Sequence, residues 1–152
     1  MRAADELARK IADHLRGQEG TSAAWNIEIE DAREGYARIA MVVRKDMLNG
    51  HAICHGGMIF SLSDTAFAYA CNSRNVETVA QNATIAFLAP GREGDRLVAE
   101  CREESLVGRS GVYAVTVSNP KGEKIAVFQG LSRSLGGPVL KGELIDRPVG
   151  LL

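Results

Sequence analysis

The stretch from Met58 to Cys71 holds Ile59, Phe60, Leu62, Ala66, Phe67, Ala68, Tyr69 and Ala70, and its hydrophilic members are only Ser61, Ser63, Asp64 and Thr65. A helix made from it is apolar on every side, so it has to be surrounded by the rest of the chain or by a second chain. At roughly 14 residues it is too short to cross a bilayer. The neighbouring sequence supplies strands to surround it. Trp25, Ile27 and Ile29 alternate with Asn26, Glu28 and Glu30, the period of a half-buried strand. Asp31 to Gly35 makes a turn, and Tyr36 to Val43 follows as a second strand. Beyond the apolar helix, strands are expected over Thr78–Leu88, Arg96–Val107, Ser110–Ser118 and Glu123–Ser134. They are divided by Pro90-Gly91, by Gly108 and by Asn119-Pro120-Lys121-Gly122. The order is helix, two strands, buried helix, four strands, which gives an α+β fold with a curled antiparallel sheet around one central helix. One small sheet covers such a helix only in part, so a homodimer is the expected minimum.

The two ends are simpler. Ala4, Leu7, Ala8, Ile11 and Leu15 recur at steps of three and four, opposite Lys10, Asp13 and Arg16. Residues 1–17 therefore form an amphipathic helix ended by Gly17 and Gly20. The tail over 136–152 carries Gly136, Gly137, Pro138, Pro148 and Gly150 and is expected to be loosely ordered. No repeat or linker divides the chain, so residues 1–152 read as a single domain. Eighteen basic against nineteen acidic residues leave a net charge of −1, which lacks the broad basic footprint of a nucleic-acid partner. No membrane span and no secretory apolar region are evident. Cys54, Cys71 and Cys101 are odd in number and not spaced in metal-type pairs, as expected of reduced thiols in a cytoplasmic protein.

Between Gly57 and Asn72, Asp64 is the only residue charged at neutral pH. Burying an unpaired carboxylate costs several kcal/mol even after relaxation. Asp64 is therefore either a structural residue that bonds a backbone group or faces a water-lined groove, or a general base or nucleophile in a dry surrounding. Just upstream runs Asn49-Gly50-His51-Ala52-Ile53-Cys54-His55-Gly56-Gly57. Glycines at a loop-to-helix junction either simply turn the chain or let a substrate approach the backbone closely. The free N–H groups of the first helical turn can then polarise a carbonyl and hold an oxyanion. Asp64 lies eight residues beyond Gly56, roughly 12 Å along a helix axis, too far for both to touch one small carbonyl within a single chain. If the two act together, they come from different subunits with antiparallel central helices.

Other chemistry fits poorly. His51, Cys54 and His55 have no further clustered ligands and no familiar zinc spacing, so no metal is expected. Cys54 and His55 are adjacent, which rarely directs two side chains at one another as a nucleophilic pair requires. No phosphate-binding, nucleophile-elbow or dinucleotide glycine motif occurs. Arg92, Arg96, Arg102 and Arg133 read as cations of solvated strand faces.

Three stretches together resemble a known family. Met47-Leu48-Asn49-Gly50-His51, Cys54-His55-Gly56-Gly57 and Phe60 through Asn72 are similar to the hotdog-fold acyl-CoA thioesterases, in particular their PaaI branch, the hydroxyphenylacetyl-CoA thioesterases of phenylacetate degradation. The similarity continues through Thr84–Pro90, Gly94-Asp95, Gly111-Val112-Tyr113 and Ser132–Gly137, covering roughly residues 20 to 140. It implies a central helix in a curled antiparallel sheet, paired helix to helix in a dimer and commonly as a dimer of dimers, hence a homotetramer. It implies Asp64 as the catalytic carboxylate, the Gly56 N–H of the partner subunit as carbonyl polariser, and Asn49 and His55 along the thioester. Gly57, Phe60 and Asn82 are implied as substrate-binding, and Gly108-Arg109-Ser110 as a turn near the coenzyme A phosphates. Coenzyme A would be part of the substrate, with no separate cofactor. Gln81-Asn82-Ala83 departs from many relatives in a region that lines their acyl pocket. Two alternatives compete: a hotdog hydratase or dehydratase using His55 and Asp64, which would lack the proline-rich segment typical of those enzymes, and a non-catalytic module that only binds acyl-CoA.

Overall fold

The computed structural model describes residues 1–141. Helix α1 (Ala3–Gln18) is followed by a short helix α2 (Gly20–Ala24) and a hairpin of β1 (Glu28–Arg33) and β2 (Tyr36–Val42). After one turn of 3-10 helix come α3 (Gly56–Cys71) and four strands: β3 (Thr78–Phe87), β4 (Arg96–Val107), β5 (Ser110–Ser118) and β6 (Lys124–Ser134). All six strands form one antiparallel sheet in the order β1-β2-β4-β5-β6-β3, and α3 touches every one of them. This is the hotdog arrangement, a sheet curled around a helix.

The apolar character of α3 dictates that curl. Ile59, Leu62, Ala66, Phe67, Tyr69 and Ala70 are each 3 % exposed or less. They pack against inward-facing Ala37, Ile39, Met41, Leu97, Ala99, Val115 and Val117 from the strands. The hydroxyls of α3 are satisfied within the helix: Ser61 donates to the Gly57 carbonyl, Ser63 to Ile59 and Thr65 to Ser61. Phe67 packs at 5.4 Å from Tyr113 and 5.9 Å from Phe128, and its ring fills the space above Gly130 on β6. Helix α1 covers β1 with the face the spacing predicts, burying Ala8, Ile11 and Ala12.

Several expectations need correction. β1 starts later than the alternation suggests and runs into the segment read as a turn. A bulge between Ile29 and Asp31 restores the inward phase for Ala32 while Glu30 pairs with Arg38 and Arg96 on neighbouring strands. Helix α2 was not expected. It is held from outside, because Ser22 is fully buried and bonds Glu19 and the Tyr69 hydroxyl of α3. The tail read as loose from Gly136 is tied down over its first residues. Gly137 O accepts from Glu77 N at 2.9 Å, and Leu140 is fully buried with its N–H on Asn75 Oδ1 at 2.7 Å. The rest of that expectation, residues 142–152, lies outside the described residues.

β3 is an edge strand, and most of its residues are exposed. Val79, Phe87 and, just beyond the strand, Leu88 are 45 %, 54 % and 56 % exposed. An unpaired apolar edge is a template for another chain.

Added to Gly130, a Cβ would lie 2.7 Å from the Phe67 ring, in the middle of the helix–sheet contact. Gly130→Ala is therefore expected to lower the unfolding free energy by about 1–3 kcal/mol. Gly17→Ala, in α1 with open space around the added carbon, should raise it by roughly 0.5–1 kcal/mol. Urea denaturation of the two variants checks both signs.

Candidate active site

The site is built around the start of α3. His55 is the residue before the helix, and its Nδ1 accepts the Gly57 N–H at 2.9 Å, taking one of the free donors of the first turn. Met58 and Ile59 N–H groups reach the His55 carbonyl. Gly56 is the first helical residue, and among the described residues its N–H has no hydrogen-bond partner. That donor lies in the wall of a cavity of about 580 Å³, shared by Asn49, Ile53, Ile59, Phe87 and the connection Leu88–Arg92. The Phe87 ring edge sits 3.0 Å from the point a Cβ on Gly56 would occupy, so glycine keeps this approach to the backbone open.

The loop leading in is held by its own hydrogen bonds. Asn49 Oδ1 accepts from His51 N at 2.9 Å and Ile53 N at 3.3 Å, and Asn49 N donates to the Ile53 carbonyl. Ala52 takes the left-handed conformation that this tight loop requires, at φ 59°. Cys54 N–H then ties the loop to the Gly91 carbonyl at 2.8 Å.

Asp64 sits two helical turns on, partly buried between Phe60 and Phe67 in the sequence of α3 but on its less covered side with Gly57, Ser61 and Ala68. Among the described residues its carboxylate has no hydrogen bond and no ion pair, in contrast to every hydroxyl on the same helix. The structural reading in which Asp64 bonds a backbone group is therefore excluded within the described chain. Burial pushes its carboxyl up from the ordinary value of 3.8.

Of the residues singled out by sequence, the fold brings Asn49 and Gly56 into one cavity and keeps the others apart. Gly57 and His55 are exposed, and the His55 side chain is occupied as a helix cap. Phe60 packs edge-on against Phe128 at 5.4 Å rather than lining the Gly56 cavity. Asn82 follows a bulge on the outer edge strand and is exposed. Gly108 and Arg109 border a separate hollow of about 210 Å³ with Cys71 and Tyr113, at the far end of α3. Ser110 opens β5 opposite Arg133. The Cys54–His55 pair is not assembled: burial pushes the Cys54 thiol up to about 11, and its Sγ faces the His55 carbonyl. Among the described residues no three His, Cys, Asp or Glu side chains gather as a metal site would require.

The connection Phe87–Arg92, which makes up half of the cavity wall, was read only as a strand end and a turn. Pro90-Gly91 immediately after an exposed apolar strand was the available signal.

Comparison with known proteins places the chain. Residues 51–126 match the Thioesterase superfamily. The chain is 45 % identical over 116 residues to the Escherichia coli K12 acyl-coenzyme A thioesterase PaaI, covering 76 % of this chain and 83 % of that one. Its fold is similar to the solved structure of the E. coli PaaI protein from the phenylacetic acid degradation operon, with a TM-score of 0.88 and 40 % identity over 90 % of this chain and 99 % of that one. A Streptococcus mutans UA159 protein solved with bound acetyl CoA is also similar, at a TM-score of 0.72 and 25 % identity over 74 % and 91 % of the two chains.

A carboxyl group whose folded-state pKa lies above its unfolded value weakens the fold when it ionises. The penalty is absent below the unfolded value of 3.8, grows as pH rises towards the folded pKa, and is full above it. Asp64→Asn should therefore raise the melting temperature at pH 7, and the gain should shrink as the pH is lowered towards 4 in thermal melts of the two proteins.

Proposed function

The chain belongs to the thioesterase superfamily and is a thioester hydrolase, and from that premise we propose that it hydrolyses acyl-CoA, with hydroxyphenylacetyl-CoA as substrate, in sites shared between two copies of the chain. The observation that carries this reading is the pairing of an unpartnered N–H at Gly56, facing a cavity, with an unpartnered carboxylate at Asp64 on the open side of the same helix. At 1.5 Å per residue the two stand roughly 12 Å apart along the axis, which no single thioester carbonyl spans. Antiparallel packing of α3 on a second α3 brings the Asp64 of one copy towards the Gly56 of the other. The small residues Gly57, Ser61 and Ala68 on the less covered side of α3, together with the exposed apolar edge at β3, favour that packing. The homodimer is the catalytic unit, and a dimer of dimers, a homotetramer, is the assembly inferred from the family resemblance.

In this arrangement the thioester carbonyl oxygen accepts the Gly56 N–H, with the positive end of the α3 dipole behind it. One donor aimed at the developing oxyanion is typically worth about 2.7–4 kcal/mol. Asp64 acts in its ionised form, either attacking the carbonyl carbon or taking a proton from a water that attacks it. The carbon–sulfur bond then breaks, and the departing thiolate of coenzyme A takes up a proton. Attack by the carboxylate itself leaves an anhydride that water cleaves. Asn49 holds the loop beside the thioester, and His55 positions the helix start. Arg109, from the copy that supplies Asp64, reaches towards the nucleotide. Ile53, Ile59, Phe87 and Leu88 give the cavity an apolar wall suited to an aryl group. No cofactor takes part.

Asp64→Asn is expected to lower kcat by about 10²–10⁴-fold while leaving coenzyme A binding and the dimer mass unchanged. In the unaltered protein kcat/KM should rise with pH through an ionisation above 3.8. Thiol release from phenylacetyl, hydroxyphenylacetyl, benzoyl, hexanoyl and acetyl thioesters measures both. Near-normal hydrolysis by the variant would end the mechanism, and a preference for hexanoyl would end the aryl assignment alone.

A further inference from the structure

A hollow of about 430 Å³ lies at the opposite end of α3 from Gly56. It is bounded by His14 and Leu15 of α1, Glu77 and Val79 at the start of β3, and Val139 and Lys141 of the tail. Asn72, which ends α3 beside this hollow, is sixteen residues from Gly56, roughly 24 Å along the axis. Within one chain the two cavities cannot hold the same small molecule. The backbone around the hollow is tied by hydrogen bonds. Glu77 N–H donates to the Gly137 carbonyl at 2.9 Å, and the Glu77 carbonyl accepts the Leu135 N–H at 2.8 Å. Buried Leu140 donates its N–H to Asn75 Oδ1 at 2.7 Å. Asn72 joins α3 to β3, with Nδ2 donating to the Thr78 carbonyl at 3.0 Å and Oδ1 accepting the Thr78 N–H at 2.9 Å.

The charged groups around the hollow are not engaged. On other surfaces charges pair off, as Arg33 does with Asp31, Arg38 and Arg96 with Glu30, and Arg74 with Glu34 and Glu103. Glu77 and Lys141 border one hollow with opposite charges, yet neither side chain has a hydrogen bond or ion pair among the described residues. The half-buried His14 imidazole beside them has none either. The wall they share also holds apolar Leu15, Val139 and Val79, the last 45 % exposed. An ammonium and a carboxylate left apart over an apolar wall complement a molecule with an acceptor at one end, an apolar body and a donor at the other. A carboxylate on Lys141 and a hydroxyl donating to Glu77 both make charge-assisted hydrogen bonds. A dicarboxylate puts like charges together at Glu77, and an acid without a hydroxyl leaves Glu77 unmatched.

We propose that this hollow binds a hydroxyaryl carboxylate, with Lys141 and His14 on the carboxylate, Glu77 on the ring hydroxyl and the ring against Leu15, Val79 and Val139. The acid released from a hydroxyaryl-acyl thioester belongs to this class, so the hollow is a second place for the product of the reaction. The choice of a hydroxyaryl acid rests on the acyl-CoA reading above, while the charge pattern of the hollow stands without it.

Calorimetric titration of the whole chain with hydroxyphenylacetate, in the absence of thioester, is the test. Lys141→Gln should weaken binding roughly tenfold or more, and Glu77→Gln about threefold or more. Both side chains are exposed, so the variants should keep the circular dichroism and melting temperature of the unaltered protein. Phenylacetate, which lacks the hydroxyl, should bind more weakly and with the same affinity to the unaltered protein and to Glu77→Gln. Hydroxyphenylethanol, which lacks the carboxylate, should be indifferent to Lys141→Gln. Asp64→Asn should leave the hydroxyphenylacetate affinity unchanged, which separates the hollow from product held at the catalytic groups. No binding of hydroxyphenylacetate, or an affinity unmoved by both Lys141→Gln and Glu77→Gln, would overturn the proposal. Thiol release from hydroxyphenylacetyl-CoA, measured alongside, keeps the two failures apart. Hydrolysis without acid binding ends this proposal and leaves the acyl-CoA reading, whereas Lys141-dependent binding without hydrolysis supports the hollow and ends that reading.

Discussion

Helix α3 has no polar face, and the sheet has to curl because six strands can cover such a helix only by wrapping around it. Each strand therefore gives its inward side to the same residues: Leu62, Ala66, Phe67 and Tyr69 are almost fully buried. The contact is close enough that one position of β6 has to be glycine-sized, at Gly130 beneath the Phe67 ring. Helix α1 and the short α2 close the other end, with Ser22 and Glu19 satisfying the Tyr69 hydroxyl that α3 carries into the core. Every hydroxyl on α3 finds a partner. Asp64 is the exception, and its carboxyl is held above its ordinary range by burial with nothing among the described residues to compensate.

That one uncompensated group gains meaning from what precedes the helix. The Asn49 loop and the His55 cap leave the Gly56 N–H without a partner among the described residues, in the wall of a cavity. A donor without an acceptor and a carboxylate without a donor, on one rigid helix, are complementary to the two ends of a carbonyl undergoing attack. Their separation along the axis makes the chain incomplete by itself. In the proposed dimer the exposed edge at β3 and the small side chains of α3 face a second copy, and assembly and chemistry are then one requirement.

Much of this was legible in residue patterns because those patterns report local periodicity. β4 and β5 run over the expected residues, since alternating burial and the Gly108 turn leave no other phase. The separation of roughly 12 Å between Gly56 and Asp64 follows from the rise of a helix and their two positions alone. What was not legible depends on partners distant in sequence. Helix α2 is held by Tyr69, the bulge in β1 by Arg38 and Arg96, and Leu140 by Asn75. In the candidate site the same limit applied. The path from Phe87 to Arg92 becomes a cavity wall only because Cys54 hydrogen-bonds Gly91, a contact between loops 37 residues apart. Phe60 and Asn82 carry suitable chemistry at suitable spacings, yet one packs on Phe128 and the other lies on the outer edge.

If Asp64 of one copy and Gly56 of another act on the same carbonyl, mixing two inactive variants restores activity. Gly56→Pro removes the N–H at the first helical position, where the helix backbone accepts proline; because its ring meets the Phe87 edge, 3.0 Å from an added Cβ, the variant is used once its circular dichroism and dimer mass match those of the unaltered protein. His55, at φ −59° and ψ 135°, already has the backbone that a residue before proline prefers. Asp64→Asn removes the carboxylate. Co-expressed in equal amounts, the two variants form mixed dimers in which one of the two sites has both groups intact. With random pairing, thioesterase activity should recover to about a quarter of that of the unaltered protein, although each parent alone is inactive. A mixture as inactive as its parents, with mixed dimers shown to be present, would contradict the shared site.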